Sequence, residues 1–239
     1  MKERLQKLIS AAGIASRRQA EQMIVEGRVI VNGTAARLGQ TADPEADEIL
    51  VDGASIRRPD EPRCLILNKP RGYVTTLSDE KGRPTVAELV RGVGVRLYPI
   101  GRLDLNSDGL LLMTNDGALA NAVMHPKNEV KKTYHTVVAG DVEAALPILR
   151  SPMELDGYRI RPAEVTDLGD GLLEITIHEG RNRQIRKMCA AAGLRVRRLT
   201  RIAEGPLQLG GLRPGQWRDL TQQEIKELRD AVGYEYQES

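Results

Sequence analysis

Residues 101–117 read GRLDLNSDGLLLMTNDG. The first half is a polar loop that carries Asp104, and the second half contains a run of large apolar side chains over 110–113 that predicts a buried strand. A carboxylate at this junction lies on a loop with a rigid element beneath it, which suits a reactive group. The spacing alone also fits a simpler role, because Asp commonly orders a turn. Asp108, directly before Gly109, is typical of a turn residue.

The chain after this segment mixes predicted strands and helices. Strands are predicted near 64–67, 109–114, 132–139, 159–166 and 171–178, and helices near 116–124, 142–150, 183–192 and 222–232. Thr221 and Glu224 form a capping box at the start of the last helix. No regular repeat is visible and strands do not alternate strictly with helices, so we expect an α+β domain rather than a doubly wound parallel sheet.

The first 57 residues predict a small separate domain. Its expected elements are a helix over 3–12, a second helix that begins with a capping box at Ser16, and a short strand over 28–31. The polar segment RRPDEP (57–62) contains two prolines and indicates a linker near 58–62. We therefore expect domains at 1–57 and 63–239.

Composition excludes several classes of protein. The chain has 239 residues, of which 41% are hydrophobic, so it can bury a core and is not disordered. No run reaches the roughly 20 apolar residues of a membrane span, and the first residues lack the apolar stretch of a signal peptide. Two distant cysteines, Cys64 and Cys189, support neither a disulfide framework nor a four-cysteine zinc site. We expect a cytoplasmic protein that does not contact a membrane.

Positive charge is concentrated in two segments of a chain whose net charge is only +2. Residues 181–201 carry eight Arg or Lys and no acid, and residues 1–28 carry six bases against three acids. Acids exceed bases over 43–62 and 203–239. A solvated surface usually mixes both signs, whereas an unbroken basic segment favours a polyanionic partner such as nucleic acid.

Common catalytic motifs do not occur in the sequence. It has no Walker phosphate loop, no dinucleotide-binding glycine motif, no nucleophile elbow and no HExxH. The three histidines are scattered, and no His, Cys and carboxylate cluster has ligand spacing, so we expect no metal site. Cys189 lies beside three alanines and is better interpreted as a small buried residue than as a reactive thiol.

Four segments in order along the chain carry a family resemblance: LNKPRGYVTT (67–76), GRLDLNSDGLLLMTNDG (101–117), KKTYHTV (131–137) and EGRNRQIRKM (179–188). Together they resemble the bacterial ribosomal RNA pseudouridine synthases of the RsuA/RluB/RluE/RluF family, nearest to the RluB type of the large subunit. The first 57 residues, with SRRQAE and GRVIVNG, resemble the small RNA-binding domain named after ribosomal protein S-four. The resemblance implies that domain followed by a catalytic domain on a mixed, mostly antiparallel sheet with flanking helices.

The resemblance also implies catalytic roles in the isomerisation of uridine to pseudouridine, a reaction without a cofactor. Asp104 matches the family's nucleophile, and a carboxylate needs no separate base at neutral pH. Arg186 matches the basic residue that pairs with this Asp, and Tyr134 matches the Tyr that stacks on the flipped-out base. Arg102 would fill the space that the base vacates, and Ile185 would form a pocket wall. The residues alone also allow Arg186 to bind phosphate and Tyr134 to pack a strand. Attack on the sugar, attack on the base and a glycal route all remain open.

The expected partner is ribosomal RNA, of the large subunit rather than the small one, or an assembling ribosomal subunit, bound by a monomer. Phosphate contacts near the cleft are expected from Arg181, Arg183, Lys187, Arg195, Arg197 and Arg198, and contacts from the N-terminal domain are expected from Arg4, Lys7, Arg17 and Arg18.

Two other functions fit parts of the pattern. A non-catalytic ribosome-assembly or RNA-binding factor would use the same basic surfaces, but it has no use for a carboxylate that faces RNA. A nucleic-acid glycosidase would use Asp104 with Asp108, but no second general acid is evident.

Overall fold

The computed structural model describes residues 2–56 and 62–234. The predicted linker therefore lies outside the described residues except for Pro62. The chain divides into two compact units, residues 1–62 with 93–96 and residues 63–92 with 97–239. Among the described residues, no helix is long and apolar enough to cross a bilayer.

The first unit contains two helices and two small antiparallel sheets. Its elements are β1 (Glu3–Arg4), α1 (Leu5–Ala11), α2 (Arg17–Val25), β2 (Val29–Val31), β3 (Thr34–Ala35), β4 (Thr41–Ala42), β5 (Ile49–Val51) and β6 (Ala54–Ser55). One sheet has the order β3-β2-β5-β6, and β1 pairs with β4. Leu5, Ile9, Ala20 and Val29 are fully buried in its core.

The two helices of this unit begin for different structural reasons. The predicted capping box starts α2, because the Gln19 amide donates to Ser16 Oγ and the Ser16 amide donates to Gln19 Oε1. The first helix begins at Leu5 and not at residue 3, because Glu3 and Arg4 pair with β4 instead.

The second unit contains the remaining elements. They are β7 (Cys64–Lys69), α3 (Val86–Leu89), β8 (Tyr98–Ile100), β9 (Asp108–Thr114), α4 (Gly117–Met124), β10 (Lys132–Ala139), α5 (Val142–Leu149), β11 (Met153–Leu155), β12 (Tyr158–Ile160), β13 (Glu164–Asp167), β14 (Leu172–Ile177), α6 (Gln184–Ala191), β15 (Arg195–Glu204), β16 (Leu207–Gln208), β17 (Trp217–Asp219) and α7 (Gln222–Ala231). This arrangement confirms the predicted α+β class.

Nine strands of the second unit form one mixed sheet. Its order is β13-β14-β10-β15-β9-β7-β17, with β16 paired to β15 and β8 paired to β9. The β9–β15 pair is parallel, and the other pairs in this sheet are antiparallel. β7 and β9 are buried along their whole length, as their continuous apolar sequences predict. Side chains from α4 and α7 pack with these two strands in one core cluster.

The parallel pair brings the loop at 101–107 against the strand that follows α6. Gly109 faces Arg201 across this pair, with a φ of +108°. A Cβ atom at Gly109 would lie 2.2 Å from the Arg201 carbonyl oxygen, so only glycine permits this approach of the two backbones.

Two strand predictions differ from the structure. The run predicted near 159–166 is divided between β12 and β13, which belong to different sheets, because Arg161-Pro162 interrupts it. The long strand β15 was not predicted, since its arginines mask the apolar alternation. Cys189 is buried as expected, and burial raises the pKa of the thiols of Cys64 and Cys189 to about 12.

Candidate active site

Asp104 lies on the loop between β8 and β9, at the wall of a cleft. Its side chain is partly exposed, at 31%. The guanidinium Nη1 of Arg183 lies 3.8 Å from its Oδ2 atom. Arg183 directly precedes α6 in the left-handed conformation, with a φ of 53°, which is uncommon for a residue with a Cβ atom.

The loop that carries Asp104 is held from below by Lys69, a residue that our sequence reasoning did not single out. The side chain of Lys69 is fully buried at the end of β7. Its ammonium group donates to the carbonyl oxygens of Pro70 (3.0 Å), Asp104 (3.1 Å) and Ser107 (2.9 Å). Burial lowers the pKa of Lys69 to about 8, although the charges of Asp108 and Asp104 act in the opposite direction.

Asp108 fixes the other end of the loop. Its carboxylate is buried, and it accepts hydrogen bonds from the Thr200 hydroxyl and from Arg198 Nε at 3.1 Å. Both oxygens therefore hold β9 against β15. The turn interpretation of Asp108 is therefore wrong, because Asp108 is the first residue of β9 and its side chain pairs with β15. The geometry offers no support for a second general acid beside Asp104.

The cleft has a volume of about 340 Å³. It is lined by six of the predicted site residues, namely Asp104, Tyr134, Ile185, Arg102, Arg181 and Arg183. These residues come from the 101–107 loop, from β10 and from the start of α6. The fold thus joins three segments that are distant in sequence.

The floor of the cleft contains a buried charged group that the sequence analysis missed. Tyr134, Arg201 and Glu204 line the cleft and are 7%, 1% and 1% exposed. Arg201 Nη2 lies 3.1 Å from Glu204 Oε2, and Lys132 Nζ lies 3.7 Å from Glu204 Oε1. Arg201 Nε donates to the Leu110 carbonyl at 2.7 Å.

The hydroxyl of Tyr134 belongs to the same group. It interacts with the Arg201 guanidinium, and burial raises the pKa of this phenol, so the hydroxyl keeps its proton. Two pairing registers meet beside it, since β10 is irregular against β15 between Thr133 and Tyr134. No single spacing in the sequence signals this cluster, because it depends on the β10–β15 pairing.

Arg186 occupies a different place from the one we predicted. Its Nη2 atom donates to the Asn106 carbonyl at 2.9 Å and to Ser107 Oγ at 3.3 Å. Within the described chain, the cation within 4 Å of the Asp104 carboxylate is Arg183, so the expected direct pair with Arg186 is corrected. Burial lowers the pKa of Arg186 and Arg183 lowers it further, while the charge of Asp104 raises it.

The predicted RNA-contact residues divide into two groups. One group already has partners within the chain: Arg198 with Asp108, Lys187 with Asp156, Arg181 with Glu179, Arg183 with Asp104, Lys7 with Glu3, and Arg4 with the Gly39 carbonyl. The other group is exposed and consists of Arg17, Arg18, Arg102, Arg195 and Arg197. Lys187, Arg195, Arg197 and Arg198 do not line the cleft, so they offer phosphate contacts only on the surface around it.

Comparison with known proteins gives the class. Residues 63–191 match the family described as RNA pseudouridylate synthase, and residues 3–49 match the S4 domain. The chain belongs to the RNA pseudouridine synthase family and is an isomerase of that class. This result confirms the resemblance that the four sequence segments indicated.

Three similar proteins extend over almost the whole chain. An RNA pseudouridine synthase of Aquifex aeolicus is 44% identical over 99% of this chain and 97% of its own length. The ribosomal large subunit pseudouridine synthase B of Bacillus subtilis is 43% identical over 95% of this chain and 96% of its own. A crystal structure of a pseudouridylate synthase is 32% identical with a TM-score of 0.69, and the match covers 94% of this chain and 99% of that one.

Proposed function

We propose that this protein converts a specific uridine of ribosomal RNA, in the large subunit, into pseudouridine. The observation that carries the proposal is the cleft that places Asp104, Arg183 and Tyr134 together from three distant segments. The names of the similar Bacillus subtilis and Pseudomonas aeruginosa proteins, ribosomal large subunit pseudouridine synthase B, support the large subunit as the source of the RNA.

The reaction needs no oxidant or reductant. The bond between C1′ of the ribose and N1 of uracil breaks, the base turns, and a bond forms between C1′ and C5. The proton on C5 leaves and N1 takes up a proton, so the product is an isomer of the substrate. Asp104 is the nucleophile, and the guanidinium group of Arg183 lies 3.8 Å from its carboxylate.

The base must leave its stack before Asp104 can reach it. Unstacking costs a few kcal/mol, and a base that stacks on an aromatic side chain regains about 1–3 kcal/mol. Tyr134 supplies this ring from the cleft floor, and the apolar side chain of Ile185 forms a wall beside it. Arg102, exposed at the same cleft, is placed to occupy the space that the base leaves.

Arg186 acts on the loop and not on the carboxylate. Its bonds to Asn106 and Ser107 fix the backbone just after Asp104. The charge of Asp104 raises the pKa of Arg186, against the larger lowering effect of burial. We assign Arg186 as a positioning residue and Arg183 as the partner of Asp104.

The two proposed domains, 1–57 and 63–239, have different roles in RNA binding and catalysis. The S4 domain presents the exposed Arg17 and Arg18 to an RNA helix, and the second domain binds and isomerises the target uridine. Arg195 and Arg197 add phosphate contacts near the cleft.

The test uses unmodified large- and small-subunit ribosomal RNA transcripts, incubated with the wild-type protein or with Asp104→Asn. Pseudouridine is then mapped along both RNAs. We expect one new site in the large-subunit RNA with the wild type and none with the variant. A site in the small-subunit RNA would overturn the large-subunit assignment, and equal modification by both proteins would overturn the role of Asp104. Tight RNA binding without any modification would favour the assembly-factor function.

A further inference from the structure

A short hairpin stands beside the cleft and is separate from the large sheet. It consists of β11 and β12, which pair only with each other in the described chain, with Leu155 opposite Tyr158. Asp156 and Gly157 form its turn, with φ values of 52° and 76°. Positive φ at both turn positions is the geometry of a tight two-residue hairpin.

The side chain of Tyr158 is exposed on this hairpin. The residue is 57% exposed, and it alone among the aromatic residues in 2–56 and 62–234 falls in the exposed class. Aromatic rings are usually buried because they contribute most when removed from water. If Tyr158 only stabilised the hairpin, its ring would be expected to pack against the rest of the second unit.

Two contacts fasten the hairpin to the rim of the cleft. The guanidinium carbon of Arg181 lies 4.3 Å from the centroid of the Tyr158 ring, a cation–π contact. Lys187 forms an ion pair with Asp156 in the turn. Arg181 also lines the cleft that contains Asp104, so the exposed ring lies one side chain away from the cleft wall.

The charge around the ring suits a polyanion. Arg159 and Arg161 are exposed on or next to β12, and Arg181 and Arg183 are exposed just before α6. Three of these arginines also contact a carboxylate of the chain, and their side chains stay 42–61% exposed: Arg161 with Glu129, Arg181 with Glu179, and Arg183 with Asp104. An aromatic face within a group of cations is the usual means by which proteins hold unpaired nucleotides, since the ring stacks on a base while the cations contact the backbone.

We propose that Tyr158 and Arg181 form a stacking platform for an unpaired base that neighbours the target uridine. The proposal rests on the proposed function, because it is the flipping of the uridine that leaves this neighbour without a stacking partner. The platform holds the strand at the cleft mouth while the uridine occupies the cleft. It contributes to RNA affinity and does not take part in bond breaking.

Binding is measured with unmodified large-subunit ribosomal RNA transcript, and every protein carries Asp104→Asn so that the RNA is not turned over. We expect Tyr158→Ala to raise Kd by about 5- to 100-fold, the usual loss for one base–aromatic stack. Tyr158→Phe keeps the ring and should stay within about twofold of the parent, because stacking needs no hydroxyl. Melting temperatures of all variants show whether the hairpin change affects folding.

The matched control is Leu168→Ala, which removes an apolar side chain of similar exposure (49%) from the turn between β13 and β14, away from the cleft. It should leave Kd unchanged. Ultraviolet crosslinking of the protein to the transcript, followed by mass spectrometry, should attach a nucleotide to the peptide that contains Tyr158.

The outcomes separate this proposal from the proposed function. If Tyr158→Ala with Asp104 intact forms pseudouridine at the same KM as the wild type, the platform is overturned and the function stands. If no protein forms pseudouridine but Tyr158→Ala still weakens binding while Tyr158→Phe does not, stacking of an RNA base on Tyr158 stands, and the proposed function is overturned together with the placement of that base beside a target uridine. A Tyr158→Phe loss as large as that of Tyr158→Ala would overturn stacking, and absence of RNA binding by the wild type would overturn both.

Discussion

Asp104 lies on a loop whose carbonyl oxygens are held by one buried ammonium group. The side chain of Lys69 is fully buried, and its ammonium group donates hydrogen bonds to three main-chain carbonyl oxygens. A carbonyl is a good partner for a cation, so the loop and the lysine satisfy each other. At the residue scale, the position of the proposed nucleophile therefore depends on a buried side chain beneath its loop.

Replacement of Lys69 by Met should lower kcat. Expressed as a free energy, this loss should exceed the loss in the free energy of unfolding. The loop would lose its common donor, and a displacement of the proposed nucleophile, Asp104, from its attack position would lower the rate steeply. We expect kcat to fall by about tenfold or more, which corresponds to about 1.4 kcal/mol. Single-turnover kinetics and a melting curve measure the two effects. Lys226→Met, an exposed change on α7, is the control, and an unchanged kcat for Lys69→Met would contradict the positioning role.

The same lysine predicts a pH dependence of opposite sign for activity and stability. Its pKa is about 8 in the folded chain against an ordinary 10.5, so between these values the unfolded chain binds more protons. The contribution of Lys69 to the free energy of unfolding therefore rises from about pH 8 to about pH 10.5. Activity should fall over the same interval, because the ammonium group that holds the loop loses its charge.

Measurements at pH 7.5, 8.5 and 9.5 check this prediction. The kcat of the wild type should decline as the pH rises, while its free energy of unfolding should increase relative to that of Lys69→Met. A parallel decline of both quantities would show that some other group governs the pH response.

The Arg201–Glu204 pair predicts a large effect from a small change. Glu204→Gln keeps the shape of the side chain but leaves the buried Arg201 without its counter-charge. Breaking a buried ion pair from one side costs about 3–5 kcal/mol, and replacement of both partners costs less. Urea denaturation should show this loss for Glu204→Gln and a partial recovery for Arg201→Met with Glu204→Leu. If the free energy of unfolding of Glu204→Gln lay within about 0.5 kcal/mol of the wild-type value, Arg201 and Glu204 would not form a stabilising buried ion pair.

At the scale of elements, the parallel pair of β9 and β15 decides where the site forms. It places the end of the loop that carries Asp104 beside the strand that carries Arg201, and Asp108 holds the two strands together. The elements with strong local signals, such as α2 and α7 with their capping boxes, were predicted from sequence. β15 was missed because its arginines mask the apolar alternation, and only its pairing with β10 and β9 shows that it is a central strand.

Gly109→Ala should open this strand pair. The new methyl group would lie 2.2 Å from the Arg201 carbonyl oxygen, and the φ of +108° would strain any side chain. We expect a loss of at least about 2 kcal/mol in the free energy of unfolding, from overpacking and backbone strain together. Gly211→Ala is the matched control, since no atom lies within 4 Å of its Cβ position and its φ is not positive. Equal stabilities of the two variants would refute the close approach.

At the scale of the whole molecule, the chain consists of two compact units. The first unit matches the S4 domain over residues 3–49 and is called the S4 unit. The S4 unit has its own core, and the cleft lies entirely within the second unit. If both bind the same RNA, the affinities combine through effective concentration, and loss of one contact raises KM more than it lowers kcat.

Reversal of the charges of Arg17 and Arg18 tests this division in the full-length chain. Both side chains are exposed at the start of α2, so Arg17→Glu with Arg18→Glu should fold normally. We expect KM for RNA to rise while kcat at saturating RNA stays within about twofold. The slope of log Kd against log salt should fall by about 0.9 for each lost contact with duplex phosphate. An unchanged KM and salt slope would mean that this helix does not contact the RNA.

The sequence by itself determined the family, the α+β class, the capped helices and the segment that carries Asp104. These features depend on residues close together in the chain, where propensity, capping and apolar runs act locally. Only the tertiary structure decided that Arg183 pairs with Asp104, that Arg186 and Lys69 hold its loop, and that Arg201 and Glu204 lie under Tyr134. Those contacts join residues that are up to 80 positions apart, as with Arg186 and the Asn106 carbonyl, and they depend on strand register and burial. Because desolvation and pairing are set by the assembled sheet, no local pattern encodes them.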